Sequence, residues 1–208
     1  SFGYIAASAW PSYVTTIDRI DYSNDMAKAL QRGPTTGKAY RCGGVGNQNF
    51  GYMTAGSGPK STVDRIDYSN DTPTTSVRGP LAAATYGHGA TGNASYGYIA
   101  GGYPENVTGT TVTRIDYASD TSTSSPKGTI SESKYFVSGT GNIDYGYLGG
   151  GREQHDPGQS DFSSTSKIER IDFSNDTATA LLKGPLTHAV RGAGAVSGGD
   201  NAHPQFGG

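Results

Sequence analysis

The chain is poor in several things, and each shortage removes a class of protein. Its 208 residues hold one cysteine, Cys42, so no internal disulfide can staple the fold and the redox compartment stays open. No apolar run approaches the ~20 residues that a membrane-spanning helix needs, which argues against membrane insertion. Charge of neither sign dominates, with 16 Lys and Arg against 18 Asp and Glu. Without a basic stripe to neutralise phosphates, nucleic acid is not an expected partner. Glutamate is scarce, at Glu105, Glu132, Glu153 and Glu169, and the acidic residues do not gather in sequence into a pair suited to acid–base work. His88, His155, His188 and His203 lack metal-ligand spacing, so neither a metal nor a cofactor is expected. A signal-like start and an initiator Met are missing too, which reads as a fragment or a processed chain.

Helical periodicity is also missing. What is present instead is glycine, 32 residues of it, with aromatic and β-branched residues recurring in register. The chain is organised around Arg-Ile-Asp followed by an aromatic residue or a turn, at Arg19-Ile20-Asp21, Arg65-Ile66-Asp67, Arg114-Ile115-Asp116 and Arg170-Ile171-Asp172. A second echo, Gly-Tyr, begins at Gly3, Gly51, Gly97 and Gly146. The step from Arg to the next Gly-Tyr is constant: 51−19, 97−65 and 146−114 all give 32 residues. The step from Gly-Tyr to Arg varies, at 16, 14, 17 and 24 residues. Constant length marks scaffold and variable length marks loop.

One unit predicts four strands. Tyr86–Thr91 is strand a, Gly92–Ser95 a tight turn, and Tyr96–Ala100 strand b. After a variable loop, Thr111–Tyr117 alternates with period two as strand c; Ser119-Asp120 then turns the chain into a short strand d at Thr121–Thr123. Four short strands repeated four times predict an all-β, four-bladed β-propeller with antiparallel strands. Adding 32 to Arg170 finds no Gly-Tyr at 202–203, so Phe2–Ala6 is expected to supply the missing strand b beside a strand a at Arg191–Val196. One blade is then built from both termini. The single domain spans residues 1–199; residues 200–208 form a tail whose His203-Pro204-Gln205-Phe206 resembles a streptavidin-binding affinity tag or else is a natural tail.

A small-residue strand, a strand ending in Gly-Gly, a variable loop and a strand ending in Asp-aromatic resemble the kelch repeat of β-propellers. The run Thr62–Asp71 with Val77–Leu81 is similar to repeats in virion structural and tail-fibre-like proteins of marine bacteriophages, notably cyanophages. That resemblance implies an extracellular, virion-surface protein with a binding or structural role.

Arg and Asp two apart on a strand share a face. Arg19 with Asp21, Arg65 with Asp67, Arg114 with Asp116 and Arg170 with Asp172 are therefore expected to pair as a structural ladder. The Asn-Asp turns, lacking a Glu at calcium-loop spacing, read as turn closers. Function is expected where the repeats differ, on the loops between strands b and c. These carry Trp10, Tyr13, Tyr103, Glu105, Asn106, Arg152, Gln154, His155, Asp156 and Phe162. Flat apolar faces beside planar polar groups suit a carbohydrate or a protein surface. The leading expectation is a non-enzymatic module of a phage fibre or similar appendage that binds a host glycan or protein. The rivals are a virion building block that joins its own copies or another subunit and, more distantly, an enzyme acting on polysaccharide.

Overall fold

The computed structural model describes residues 2–6, 14–38, 40–56, 58–154 and 162–197. The protein is all-β, built of antiparallel sheets, with one short helix among the described residues. The first sheet has three strands, β1 (Phe2–Ala6), β2 (Ile17–Asp21) and β3 (Leu30–Arg32). The second has four, β4 (Gly43–Gly46), β5 (Phe50–Gly56), β6 (Gly58–Asp67) and β7 (Ser76–Val77). The third repeats that order with β8 (Gly89–Gly92), β9 (Tyr96–Ala100), β10 (Thr111–Asp116) and β11 (Ser125–Thr129). Helix α1 (Glu105–Thr108) lies in its b–c loop. The chain then runs through β12 (Lys134–Tyr135), β13 (Ser138–Gly141), β14 (Tyr145–Gly149), β15 (Arg152–Gln154), β16 (Phe162–Ser164), β17 (Ile168–Asp172) and β18 (Leu181–Leu182). Of these, β13, β14, β17 and β18 form the fourth sheet, and β12, β15 and β16 form a small one beside it.

The first hairpin of each four-stranded sheet is closed by an asparagine. Asn47, Asn93 and Asn142 each accept two backbone N–H groups from residues two and three ahead, the side-chain turn this residue type favours. The expected strand b is found at Tyr96–Ala100, but two other strands move. Strand a begins at Gly89 rather than Tyr86, because Gly87 takes φ +66° and breaks the extended run. Strand d lies at Ser125–Thr129, not Thr121–Thr123. Tyr117–Ser119 winds into a 3-10 turn capped by the Asp116 carboxylate, and the Asp120 carbonyl accepts the Gly79 N–H of the preceding unit. Both contacts hold Thr121–Thr123 off the sheet.

The Arg–Asp ladder is formed with a different partner. Arg19, Arg65 and Arg114 reach the next unit and bond Asp71, Asp120 and Asp176 at 2.8, 2.7 and 2.7 Å. Asp21, Asp67 and Asp172 instead accept the N–H and hydroxyl of Ser23, Ser69 and Ser174, while Asp116 accepts from the Ala118 N–H. The serine hydroxyl bond, with the backbone bond behind it, holds the carboxyls of Asp21, Asp67 and Asp172 below the usual range. An Asp at the last position of a strand can fold onto its own turn, and that local bond wins over the neighbour two residues back.

Each inter-sheet Asp gathers more than an arginine. Tyr4, Tyr52 and Tyr98 of the Gly-Tyr echo donate their hydroxyls to the same three aspartates at 2.9 Å. Their rings stack on Tyr68, Tyr117 and Phe173 of the next unit, with centroids 4.7–5.0 Å apart. Backbone N–H groups of Gly33, Gly79 and Gly128 bond the carbonyls of the same aspartates. A methyl group at Gly79 would sit 1.9 Å from the Ser122 carbonyl oxygen, so only glycine admits this approach. The apolar core follows the same seams: Tyr52, Val63, Ile99 and Ile115 fill the second junction, and Tyr98, Val112, Leu148 and Ile171 the third.

The junction between the fourth and first sheets lacks these contacts. Arg170 lies over Tyr145 and, among the described residues, has no ion pair; Asp25, its repeat-related acceptor, is exposed and unbonded. Gly184, the counterpart of Gly79, has nothing within 4 Å. Nor does Phe2–Ala6 pair with residues 192–196: its one strand partner is β2, and 193–197 form no strand. The expected blade shared by the two termini is therefore not formed. In its place is a cavity of about 620 Å³ lined by Gly3, Tyr22, Gly51, Thr140 and Val196 among others.

Candidate functional site

Four residues occupy one repeat position just ahead of the inner strands: Arg41, Gly87, Phe136 and Gly192. All four take positive φ, at +55°, +66°, +58° and +62°. A backbone chain links them, from the Gly87 N–H to the Arg41 carbonyl, Phe136 to Gly87, and Gly192 to Phe136. Glycine adopts this conformation freely; a large side chain does so at a cost of about 1 kcal/mol or more. Two of the four positions carry that cost, and their side chains meet. The Arg41 guanidinium lies 4.6 Å from the Phe136 ring centre, 4.6 Å from that of Tyr40 and 5.7 Å from that of Tyr86.

The rings continue from there. Tyr86 and Tyr103 are 5.1 Å apart and exchange backbone hydrogen bonds, which ties the b–c loop of the third unit to the approach to strand a. Tyr103 contacts Tyr135 edge-on at 6.0 Å, Tyr135 packs on Phe136 at 4.5 Å, and Arg152 lies over Tyr135 at 5.6 Å. The result is a continuous patch of rings threaded by two guanidinium groups. Arg41 is exposed and has no ion pair among the described residues. With Tyr103 exposed, Tyr86 and Phe136 half-buried and Tyr135 buried, the patch offers ring surface to a sugar or a side chain and a planar cation to a carboxylate.

Of the sequence-predicted site residues, Tyr103 and Arg152 fall in this patch. Asn106 is exposed on α1, and Glu105 begins that helix. Gln154 ends β15 and Phe162 starts β16, the hairpin into which the longest b–c loop folds. Trp10, Tyr13, His155 and Asp156 lie outside the described residues, as does the 200–208 tail. Sequence reasoning missed Tyr40, Arg41, Tyr86, Tyr135 and Phe136. The signal was available: each pair falls at the same step ahead of an inner strand, but Tyr86–His88 read as part of the strand itself.

Three of the four glutamates gather around Lys134 and Lys167. Lys134 pairs with Glu169, and both side chains are 0% exposed. Lys167 bonds Glu132 and lies 3.4 Å from Glu153. The hydrogen bond from Lys167 is the main cause that lowers the Glu132 carboxyl; burial opposes the Lys167 ammonium, but its two carboxylates raise it. The residues come from three separate segments, 132–134, 153 and 167–169; the pairing of β15 with β12 brings the first two together, and the ion pairs join them to the third. The wholly buried Lys134–Glu169 pair fastens the hairpin base, while Lys167 and Glu132 lie at the surface, 35% and 46% exposed.

His88 is buried in the scaffold. Its Nε2 accepts the Gly43 N–H at 3.1 Å and lies 2.8 Å from the Thr54 hydroxyl, and burial lowers the imidazole to about 4. No group of three or more potential metal ligands occurs among the described residues, and no helix among them is long and apolar enough to cross a membrane. Compared with protein-family models and with curated proteins, the chain matches none.

Proposed function

We propose that this chain is a non-enzymatic recognition module, a four-bladed propeller carried on the surface of a virion or a similar extracellular appendage. It binds a host-surface glycan or protein through the end of the ring that carries the b–c loops. The observation that supports this reading is the contrast between seams and mouth. Three junctions repeat the same Arg, Tyr, Asp and Gly contacts, whereas Arg41, Tyr86, Tyr103, Phe136 and Arg152 at the mouth break the repeat. Arg41 and Phe136 carry a backbone cost, and Arg41 and Tyr103 are exposed; a repeat array has no packing reason to place such unlike side chains at one end, but a binding surface does. The resemblance to cyanophage repeats supports the setting.

This reading requires the fourth junction, open in the structure, to close like the others. Asp25 would then take Arg170 and the Tyr147 hydroxyl, and Val196, which already lines the cavity, would cover Gly51 as Val45 covers Gly97. The same unfilled edge favours the second reading, a building block in which Asp25 of another copy meets Arg170.

The test is attachment of the labelled chain to whole cyanobacterial cells, alongside a Tyr103→Ala/Arg41→Gly variant and light scattering of the pure chain. Saturable attachment lost in the variant supports the recognition reading. Absence of attachment together with ordered association that grows with concentration supports the building block.

A further inference from the structure

We propose that Arg41 and Phe136 form a subsite for an acidic saccharide, with the guanidinium taking a sugar carboxylate and the rings of Phe136 and Tyr86 taking sugar faces. This rests on the recognition reading and names the chemistry of its ligand. The first support is conformational. Of the four residues at this repeat position, Gly87 and Gly192 take positive φ freely, and Arg41 and Phe136 are the only non-glycine residues among those described that hold it. Strain held where glycine would relieve it marks positions kept for their side chains.

The second support is electrostatic. Arg19, Arg65 and Arg114 are each neutralised by an aspartate. Arg41 is exposed and held among three rings, with no carboxylate beside it in the described structure. Ring packing restrains the guanidinium before any ligand arrives, which reduces the ordering cost of a bidentate carboxylate contact. Arg191, next to Gly192 in the same backbone chain, is also exposed and adds positive charge there. A single planar cation beside rings fits one carboxylate per few sugars better than the dense phosphates of a nucleic acid.

The experiment is calorimetric titration of the full chain with tetragalacturonate, with maltotetraose as the neutral control and a sulfated tetrasaccharide as a second anion. Arg41→Gly and Phe136→Gly are the informative variants, since glycine accepts the local backbone and both should melt near the parent temperature. Tetragalacturonate should bind more tightly than either control, should weaken as salt is raised, and should lose about tenfold or more in affinity in Arg41→Gly. Equal binding of maltotetraose, or undiminished binding by Arg41→Gly, overturns the acidic subsite while leaving a glycan-binding module standing. A preference for the sulfated sugar overturns the carboxylate assignment. If no sugar binds while cell attachment persists after the cell-surface glycans are stripped, the ligand is protein and the subsite is wrong. Variants that unfold show instead that Arg41 and Phe136 are scaffold.

Discussion

Arg65 does not pair with Asp67, two residues along its own strand, but with Asp120 in the next repeat unit, at 2.7 Å. Asp120 also accepts the Tyr52 hydroxyl, and its backbone carbonyl accepts the Gly79 N–H. One aspartate therefore fastens a neighbouring sheet at three points, whereas Asp67 only closes a turn.

The two aspartates should differ accordingly on removal. Asp120→Ala strands a partly buried guanidinium and a tyrosine hydroxyl, and is expected to cost about 3 kcal/mol. Asp67→Ala removes two exposed turn bonds, both from Ser69, and should cost about 1 kcal/mol or less. Urea unfolding of both variants measures the difference; equal costs would mean that the inter-sheet contact is not what holds the seam.

The buried Lys134–Glu169 pair gives a second comparison. Lys134→Met leaves the Glu169 carboxylate at 0% exposure without its cation, with the Ser131 N–H as its remaining partner, which is expected to cost about 3–5 kcal/mol. Lys134→Met with Glu169→Leu removes both charges and should recover most of that loss. A double variant less stable than the single one would show that the charges stabilise the hairpin base rather than merely tolerating one another.

His88 predicts a pH dependence of definite sign. Folded, its imidazole protonates only near pH 4; unfolded, it protonates near 6.5. Between those values the unfolded chain binds the extra proton at this site, so the His88 contribution to stability is constant above about pH 6.5 and falls by about 3 kcal/mol as the pH drops to 4. His88→Gln should flatten that part of the profile relative to the parent. An unchanged profile in the variant would place the titrating group elsewhere.

How much was legible in the sequence follows from the range of each interaction. The Arg-Ile-Asp and Gly-Tyr echoes are local patterns, and they located β9, β10 and the all-β class, because alternation and turn residues act over a few positions. The partner of Arg65 was not legible: period two puts Asp67 on the same face, and nothing local says that Ser69 will claim it first. The 3-10 turn at Tyr117–Ser119 is capped locally by Asp116, but the seam contact of Asp120 that follows it and helps displace the last strand is long-range. In the aromatic patch, Tyr103 and Arg152 were visible because loop length varies there. Arg41 and Phe136 were hidden because neither residue type signals a left-handed backbone. Only their alignment with Gly87 and Gly192 reveals it.

One repeating lock builds three junctions of the scaffold, and the proposed ring requires a fourth copy of it, between Asp25 and Arg170, at the junction that is open in the structure. A double-mutant cycle on Asp25→Ala and Arg170→Ala, read by urea unfolding over a dilution series, tests it most directly. The account predicts a favourable coupling of about 1–3 kcal/mol that matches the Arg65–Asp120 cycle and is independent of protein concentration. A coupling near zero would contradict closure, and one that grows with concentration would assign the fourth lock to a second copy of the chain.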